Sequence, residues 1–249
     1  MGTKVSLTFP PKRVVSLVPS QTELLHDLGL DEEVIGITKF CVEPISWHQS
    51  KAKIGGTKNL RFDVIDSLSP DLIFGNKEEN EKSSIEMLRK KYPVWMSDVI
   101  TFKDALTMII SVSELCNKKV RGENMVAEIE KRFQKIAKKE ATVLYLIWRD
   151  PWMGVGANTF IDSMIAVLGY KNILASHSRY PIINLDHARE LNPEHIFLSS
   201  EPYPFEEKHV DELKSKFPAT RISLVDGQYF SWYGSRLLKA PDYFNQLLA

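Results

Sequence analysis

Short runs of aliphatic and β-branched residues alternate along this chain with longer segments whose apolar residues recur every three or four positions. This alternation predicts parallel β-sheets wrapped by helices, an α/β fold. In the first half it predicts strands at 13–17, 34–37, 72–74 and 94–96 and helices at 21–28, 62–68 and 83–91. In the second half it predicts strands at 142–147, 195–198 and 221–225 and helices at 160–168, 186–191, 208–216 and 235–247.

One segment of the pattern occurs twice. Residues 63–74 and 186–197 both read Asp, four residues, Leu, one residue, Pro, an acid, one residue, Ile-Phe. Each copy predicts a short helix opened by an acid, a stop before proline and a buried strand. Helix–Pro–strand turns are common enough to match by chance, but the copies stand at the same step of both halves. This placement favours a duplicated α/β unit.

A long helical region separates the halves. Thr101 is predicted to cap a helix that runs to about Cys116, and a second helix is predicted from Lys119 to Lys139 after a break at 117–118. The apolar positions that predict one buried stripe on the second helix are Val126, Ile129, Phe133 and Ile136. At 1.5 Å per residue this helix would be about 30 Å long, enough to join two lobes rigidly. We expect an N-terminal lobe at 1–116, a connecting helix at 117–140 and a C-terminal lobe at 141–249.

Aromatic residues concentrate where a ligand site is expected. In open parallel sheets, ligands bind beyond the carboxyl ends of the strands. Six of the 25 aromatic residues fall in two such stretches totalling ten residues: Trp148, Trp152, Tyr229, Phe230, Trp232 and Tyr233. Large flat side chains beside a few polar groups suit a bulky, partly apolar ligand. The alternative is that some of these rings only pack loops onto the sheet.

Composition excludes several classes of function. The chain has 32 basic and 32 acidic residues and no basic cluster, which argues against a nucleic-acid groove. No apolar run reaches the roughly 18–20 residues that span a bilayer. Residues 1–11 lack the apolar stretch of a secretory signal, so the protein is expected either to stay in the cytoplasm or to have lost its signal.

Signals for metal binding and catalysis are weak. Cys41 and Cys116 form no CxxC, so neither a disulfide framework nor a metal spacing is expected, although a site built from Cys41, Glu43 and His48 remains an alternative. The glycines at 154 and 156 lack the third glycine of a dinucleotide loop, and a tight loop with Asn158 or Thr159 capping the next helix is expected. Neither a phosphate loop nor a nucleophile elbow is present. We therefore expect a protein that is not an enzyme.

The chain resembles the helical-backbone (class III) periplasmic binding proteins of bacterial ABC importers, which bind cobalamin, ferric siderophores or haem. The motifs that carry the resemblance are Arg13-Val-Val-Ser-Leu-Val-Pro-Ser-Gln-Thr-Glu-Leu-Leu25, Leu28-Gly29, Val34-Ile-Gly36, Ile54-Gly-Gly-Thr57 and Leu68-x-Pro-Asp-Leu-Ile73. The similarity covers almost the whole chain and is strongest to the cobalamin receptors. It implies two Rossmann-like lobes joined by a rigid helix, with the ligand in a cleft between them.

The resemblance also implies ligand contacts. Carried over position by position, they are Phe40, Asn76, Trp148, Trp232 and Arg236. The neighbours that complete the predicted set are Cys41, Lys58, Arg149, Trp152, Glu201, Tyr229 and Tyr233. Asn76 replaces an aromatic residue of the cobalamin receptors, so a corrinoid and a ferric siderophore or other metal chelate stay open as ligands. Nearby basic residues favour an anionic chelate, and nearby acids offset that preference.

Cobalamin receptors dock on the arginines of their membrane permease through one acid on each lobe. The matching positions here are Asp63 and Asp186, with the shorter Asp in place of Glu. The alternative is a purely structural acid at a helix N-terminus. The expected function is therefore a monomeric, extracytoplasmic solute-binding protein of an ABC importer, without an intrinsic cofactor. A cytoplasmic ligand-binding or sensing protein that reuses the fold without transport is the alternative.

Overall fold

The computed structural model describes residues 8–248, so part of the stretch 1–11 lies outside the described residues. The chain forms two compact units. The first comprises the described part of Met1–Val99 together with Lys103–Lys131 and Tyr233–Leu238, and the second comprises Ile100–Phe102, Arg132–Trp232 and the described part of Lys239–Ala249. Among the described helices, none combines the length and the apolar character needed to cross a membrane.

The first unit contains a five-stranded parallel sheet in the order β3-β2-β1-β4-β5. Its elements are β1 (Val14–Ser16), α1 (Pro19–Asp27), β2 (Val34–Ile37), α2 (Ile45–Ser50), β3 (Ala52–Lys53), α3 (Phe62–Leu68), β4 (Leu72–Asn76), α4 (Lys82–Arg89) and β5 (Val94–Ser97). Every residue of β1 and β4 is buried, as expected for central strands of a parallel sheet. The parallel α/β class predicted from the sequence is confirmed.

Two helices follow, α5 (Phe102–Leu115) and α6 (Lys119–Phe133). Asn117 takes a left-handed conformation between them, at φ 56°, which confirms the predicted break. The prediction that α6 continues to Lys139 is wrong. The Ala137 N–H donates to the Asn245 side chain at 3.2 Å, and the Lys139 N–H donates to the Leu168 carbonyl at 2.9 Å. These tertiary bonds replace the bonds of a continued helix.

The buried stripe of α6 also differs from the prediction, because it consists of Gly122, Met125 and Ile129. Gly122 is where α5 and α6 approach each other closely. A Cβ atom at this position would lie 2.1 Å from Oγ and 2.4 Å from Cβ of Ser113. The absence of a side chain at residue 122 is therefore a packing requirement.

We expect Gly122→Ala to lower the free energy of unfolding by about 1–3 kcal/mol, because the added methyl group overpacks the contact with Ser113. At an open helical position the same change would raise stability by roughly 0.5–1 kcal/mol, so the sign is diagnostic. Urea denaturation measures the effect. Adding Ser113→Gly should recover most of the loss, and a more stable single variant would contradict this account.

The second unit is a mixed sheet in which β9 lies between β10 and β6, and both β7 and β8 pair with β6. Its elements are β6 (Thr142–Trp148), β7 (Met153–Gly154), α7 (Phe160–Val167), β8 (Lys171–Asn172), α8 (Leu185–Glu190), β9 (His195–Ser199), α9 (Glu207–Lys216), β10 (Arg221–Val225), α10 (Gln228–Ser231) and α11 (Ala240–Leu248). All pairings are parallel except that of β7 with β6. The elements not predicted, α2, β3, β7, β8 and α10, have at most six residues, too few to show a period.

The predicted single helix at 235–247 is wrong. Residues Ser235–Leu238 form a 3-10 helix in the first unit, and α11 begins at Ala240 in the second. Pro241 explains the break, because proline is tolerated in the first turn of a helix but not in its interior.

The repeated sequence segments have the same local structure. In the first unit, α3 ends at Ser69, whose φ is 45°, and in the second unit Asn192 has a φ of 46° at the matching position. A left-handed residue followed by proline ends each helix and starts the next strand. The strand registers agree as well, with Val14 opposite Leu72 and Val143 opposite His195.

The acid that follows each of these prolines accepts hydrogen bonds from the same kind of group, a backbone N–H at the start of a central strand. The carboxylate of Asp71 accepts the N–H groups of Lys12 and Arg13 at 2.7 and 2.9 Å. The carboxylate of Glu194 accepts the N–H of Thr142 at 2.7 Å. Each acid thus holds the start of the adjacent central strand, β1 or β6. Such recurrence is what a duplicated unit predicts.

Candidate functional site

The carboxyl ends of the strands in the first unit present an exposed aromatic ring and two lysines. Phe40 follows β2 and is 51 % exposed. The Nζ atom of Lys39 lies 5.0 Å from the centre of its ring, and the ring edge lies so close to Gly56 that a Cβ there would be 3.0 Å away. Lys58 is exposed in the loop after β3. This edge can offer a ligand a flat apolar surface beside positive charge.

Cys41 is different, because its side chain is fully buried. The hydroxyl of Thr22 donates to its sulfur at 3.0 Å, and the hydroxyl of Thr38 lies 3.2 Å away. Burial raises the pKa of the Cys41 thiol, so the thiol stays protonated at neutral pH. A ligand in solution cannot reach this sulfur, and the residue anchors the loop that carries Phe40.

Asn76 is also buried and engaged. Its side-chain amide donates to the Ser97 hydroxyl at 2.9 Å, and its side-chain oxygen accepts the N–H groups of Glu78 and Glu79 at 2.8 and 3.2 Å. The side chain therefore shapes the turn after β4.

Tyr233 and Arg236 belong to the first unit, on the segment Tyr233–Leu238. The Nε atom of Arg236 donates to the Glu23 carboxylate at 3.0 Å, and their side chains are 10 % and 6 % exposed. Burial raises the pKa of Tyr233 well above its usual value. The ion pair binds this segment to α1. Its two partners are 213 residues apart, so the sequence does not predict the contact.

The carboxyl ends of the strands in the second unit carry more aromatic surface. Trp148 ends β6 and is 39 % exposed. Its ring meets that of Tyr203 edge to face, with the centres 5.7 Å apart. Tyr203 was not among the predicted contacts, although an aromatic residue between two prolines directly after β9 is a signal that the sequence carries.

Arg149 and Trp152 stack beside this pair of rings. The guanidinium carbon of Arg149 lies 5.6 Å from the centre of the Trp152 ring, and that ring stacks on Phe205 at 5.9 Å and an angle of 8°. Arg149 also donates two hydrogen bonds to Glu212, which raise the pKa of the guanidinium. Glu212 lies 63 residues away on α9, so no local sequence pattern predicts this contact.

Glu201 organises the segment after β10. Its carboxylate accepts the Ser231 hydroxyl at 2.6 Å and the indole N–H of Trp232 at 3.1 Å. Trp232 is only 7 % exposed, so Glu201 fixes the orientation of a mostly buried ring. The Tyr229 ring stacks on that of Tyr243, with the centres 4.4 Å apart and an angle of 14°.

The two acids predicted to dock on a permease are both exposed and both stand in the first turn of a helix. Asp63 opens α3 and accepts a hydrogen bond from Arg61 at 3.0 Å, which lowers the pKa of its carboxyl. Asp186 opens α8, where its N–H donates to the capping side chain of Asn184 at 2.7 Å.

The structure also shows the surroundings of Cys41, Glu43 and His48 and of the glycine-containing loop. Within residues 8–248, no group of three or more His, Cys, Asp or Glu side chains is arranged to hold a metal ion. The nitrogen Nδ1 of His48 lies 3.0 Å from the carbonyl of Cys41, not from its sulfur. The expectation for the glycine-containing loop is confirmed, because Thr159 caps α7 by accepting the Asp162 N–H at 3.1 Å.

The sequence pattern of the periplasmic binding protein family matches residues 14–221. Because this match covers most of the chain, the protein belongs to that family.

Individual relatives are distant. The chain is 24 % identical over 205 residues to the uncharacterised ABC transporter substrate-binding lipoprotein YvrC of Bacillus subtilis, covering 77 % of this chain and 65 % of that protein. It is 23 % identical over 199 residues to the vitamin B12-binding protein of Vibrio campbellii, covering 76 % and 71 %. A solved structure of the periplasmic haem-binding protein BhuT with two haems superposes with a TM-score of 0.83 at 19 % identity, covering 95 % of this chain and 97 % of that one. The match thus spans about two thirds of the curated relatives' length.

Proposed function

We propose that this protein is the solute-binding component of an ABC importer and binds a corrinoid or another metal chelate with a flat, partly apolar surface. The observation that carries the proposal is the pair of exposed aromatic side chains at the carboxyl ends of the strands, Phe40 in the first unit and Trp148 in the second. Covering exposed aromatic surface of this kind with a flat ligand is favourable, because it removes apolar area from water. The family and the names of its relatives support the same class of ligand.

The predicted contacts divide by exposure. Those with accessible side chains, which we propose touch the ligand, are Phe40, Lys58, Trp148, Arg149, Trp152 and Tyr229. Those that hold these segments in place are the buried Cys41, Asn76, Trp232, Tyr233 and Arg236, together with the half-buried Glu201, whose carboxylate binds Ser231 and Trp232. Binding without catalysis follows from the proposal.

We further propose that Asp63 and Asp186 bind basic residues of the membrane permease, which places the protein outside the cytoplasm. The support is their exposure and their matching positions in the repeated segments. Asp63 would have to exchange Arg61 for a permease arginine, and a surface ion pair of this kind is weak enough to allow the exchange.

Titration with cyanocobalamin, cobinamide, haem and ferric siderophores tests the proposal, with affinity measured by calorimetry. We expect one of these ligands to bind. Trp148→Ala should then weaken its affinity about tenfold or more, because aromatic side chains in a binding site contribute much of the binding free energy. The matched control is Leu191→Ala, which removes an apolar side chain of similar exposure, 41 %, at the amino end of β9. Failure of every ligand to bind, or an equal loss in the control, would refute the proposal.

A further inference from the structure

All three nitrogen atoms of the Arg149 guanidinium already donate to carboxylates. Nε and Nη2 donate to the two oxygens of Glu212 at 3.1 and 3.0 Å, and Nη1 donates to Asp150 at 2.7 Å. The flat face of the group lies against Trp152. Arg149 is thus held in one orientation by three neighbours.

A guanidinium with a free pair of N–H groups is the side chain best suited to grip a carboxylate of a ligand. Here Glu212 occupies that pair, so a ligand carboxylate would have to displace it. The surrounding charge adds to this effect. The segments 149–152, 200–206 and 226–227 contain one basic residue, Arg149, and four acids, Asp150, Glu201, Glu206 and Asp226. On α9, Glu212 is a fifth acid beside them, and Lys208 pairs with Glu206 at 2.8 Å. An anionic group approaching this edge meets repulsion rather than attraction.

We infer that Glu212 is a specificity-determining residue: by occupying Arg149, it makes this edge of the second unit select an uncharged or cationic ligand surface and reject ligand carboxylates. The inference rests on the proposed function and narrows its ligand class. The exposed Trp148 ring and its neighbour Tyr203 supply the apolar surface that such a ligand covers. Glu212 positions Arg149 and need not touch the ligand itself.

The test compares cyanocobalamin, which carries no net charge, with anionic ferric citrate. The variant Glu212→Gln keeps the size of the side chain, removes its charge and leaves one acceptor oxygen instead of two. At least one N–H of the Arg149 fork is then free, and the bond that remains is no longer to a carboxylate. We expect the affinity for ferric citrate to rise about tenfold, the scale of one charge-assisted hydrogen bond, and that for cyanocobalamin to change less than about twofold. Glu207→Gln is the matched control, because it makes the same change at an exposed position of the same helix.

A second variant shows whether the gain in affinity comes from the freed guanidinium or from the general change in charge. Adding Arg149→Gln to Glu212→Gln should abolish the gain in ferric citrate affinity. A gain that persists in the double variant, or that Glu207→Gln reproduces, overturns the inference. So does a change of equal size for both ligands.

Asp150 keeps the test decisive even where Glu212→Gln fails to fold. Its side chain is 79 % exposed, and Asp150→Asn removes the negative charge beside Nη1 of Arg149 with little risk to the core. Because Glu212 still occupies Nε and Nη2 in this variant, we expect at most about a threefold gain in ferric citrate affinity, in keeping with a surface ion pair. A tenfold gain with Glu212 in place overturns the inference. Wild-type protein that prefers ferric citrate overturns the inference alone, whereas wild-type protein that binds no chelate overturns the proposed function as well.

Discussion

Replacing Arg236 with methionine should lower the free energy of unfolding by about 3–5 kcal/mol. The side chains of Arg236 and Glu23 are 10 % and 6 % exposed and are joined at 3.0 Å. Methionine fills the space of the arginine stem but leaves the buried Glu23 carboxylate without its guanidinium. A buried charge that loses its partner is far more costly than a broken pair at the surface. Guanidinium chloride denaturation of the isolated protein measures the loss.

Two further variants show whether the ion pair is the cause. Glu23→Gln combined with Arg236→Met removes both charges and should recover much of the lost stability, since neutral replacement of a buried pair is often tolerated. Arg61→Met breaks the exposed pair with Asp63 and should leave the denaturation midpoint unchanged. A double variant as unstable as Arg236→Met alone would show that packing, rather than charge, fastens the segment to α1.

Replacing Phe230 with alanine should lower the free energy of unfolding by about 3–5 kcal/mol. The Phe230 ring is fully buried, and its centre lies 5.1 Å from that of Tyr145, 6.1 Å from Phe197 and 5.0 Å from Phe244. The substitution leaves a cavity among these three rings. It also loosens α10, which carries Tyr229, so the affinity for the ligand should fall together with the stability.

If the cavity causes the loss of stability, the loss should grow with the buried volume that is removed. Phe230→Leu retains most of the volume and should lower the free energy of unfolding by less than about 1.5 kcal/mol. Phe40→Ala removes a ring that is 51 % exposed and should change stability by no more than about 0.5 kcal/mol. Equal losses of stability in Phe230→Ala and Phe40→Ala, measured by thermal denaturation, would show that the cavity is not the cause.

The sequence predicts where a ligand site should lie, but it predicts the exposure and the partners of the residues there only in part. Segments after the strands are recognisable because strand ends are marked by a change from apolar to polar residues. Trp148 was predicted in this way and Phe40 through the family resemblance, and the side chains of both are exposed. Arg236 was also predicted to touch the ligand, yet it pairs with Glu23 in the first unit. Whether a side chain in such a segment faces solvent or another part of the chain depends on residues far away, which spacing does not reveal.

The predictions that agree with the structure concern local periodicity. The strand Val34–Ile37 and the helix Phe62–Leu68 have the predicted bounds because apolar spacing and a stop before proline act within a few residues. The same holds for the repeated helix–Pro–strand segments, whose backbone angles agree at Ser69 and Asn192.

Other features depend on contacts between distant parts of the chain. Helix α6 ends at Phe133 although the next residues favour helix, because the N–H groups of Ala137 and Lys139 bond elsewhere. Glu212 reaches Arg149 across 63 residues. Hydrogen bonds and ion pairs form between whichever groups the fold brings within about 3 Å, so their partners are known only once the sheets and helices are assembled. Local patterning therefore defines the fold class and the strand ends at which we propose that a ligand binds, and long-range pairing defines which charged side chains there are already paired within the protein.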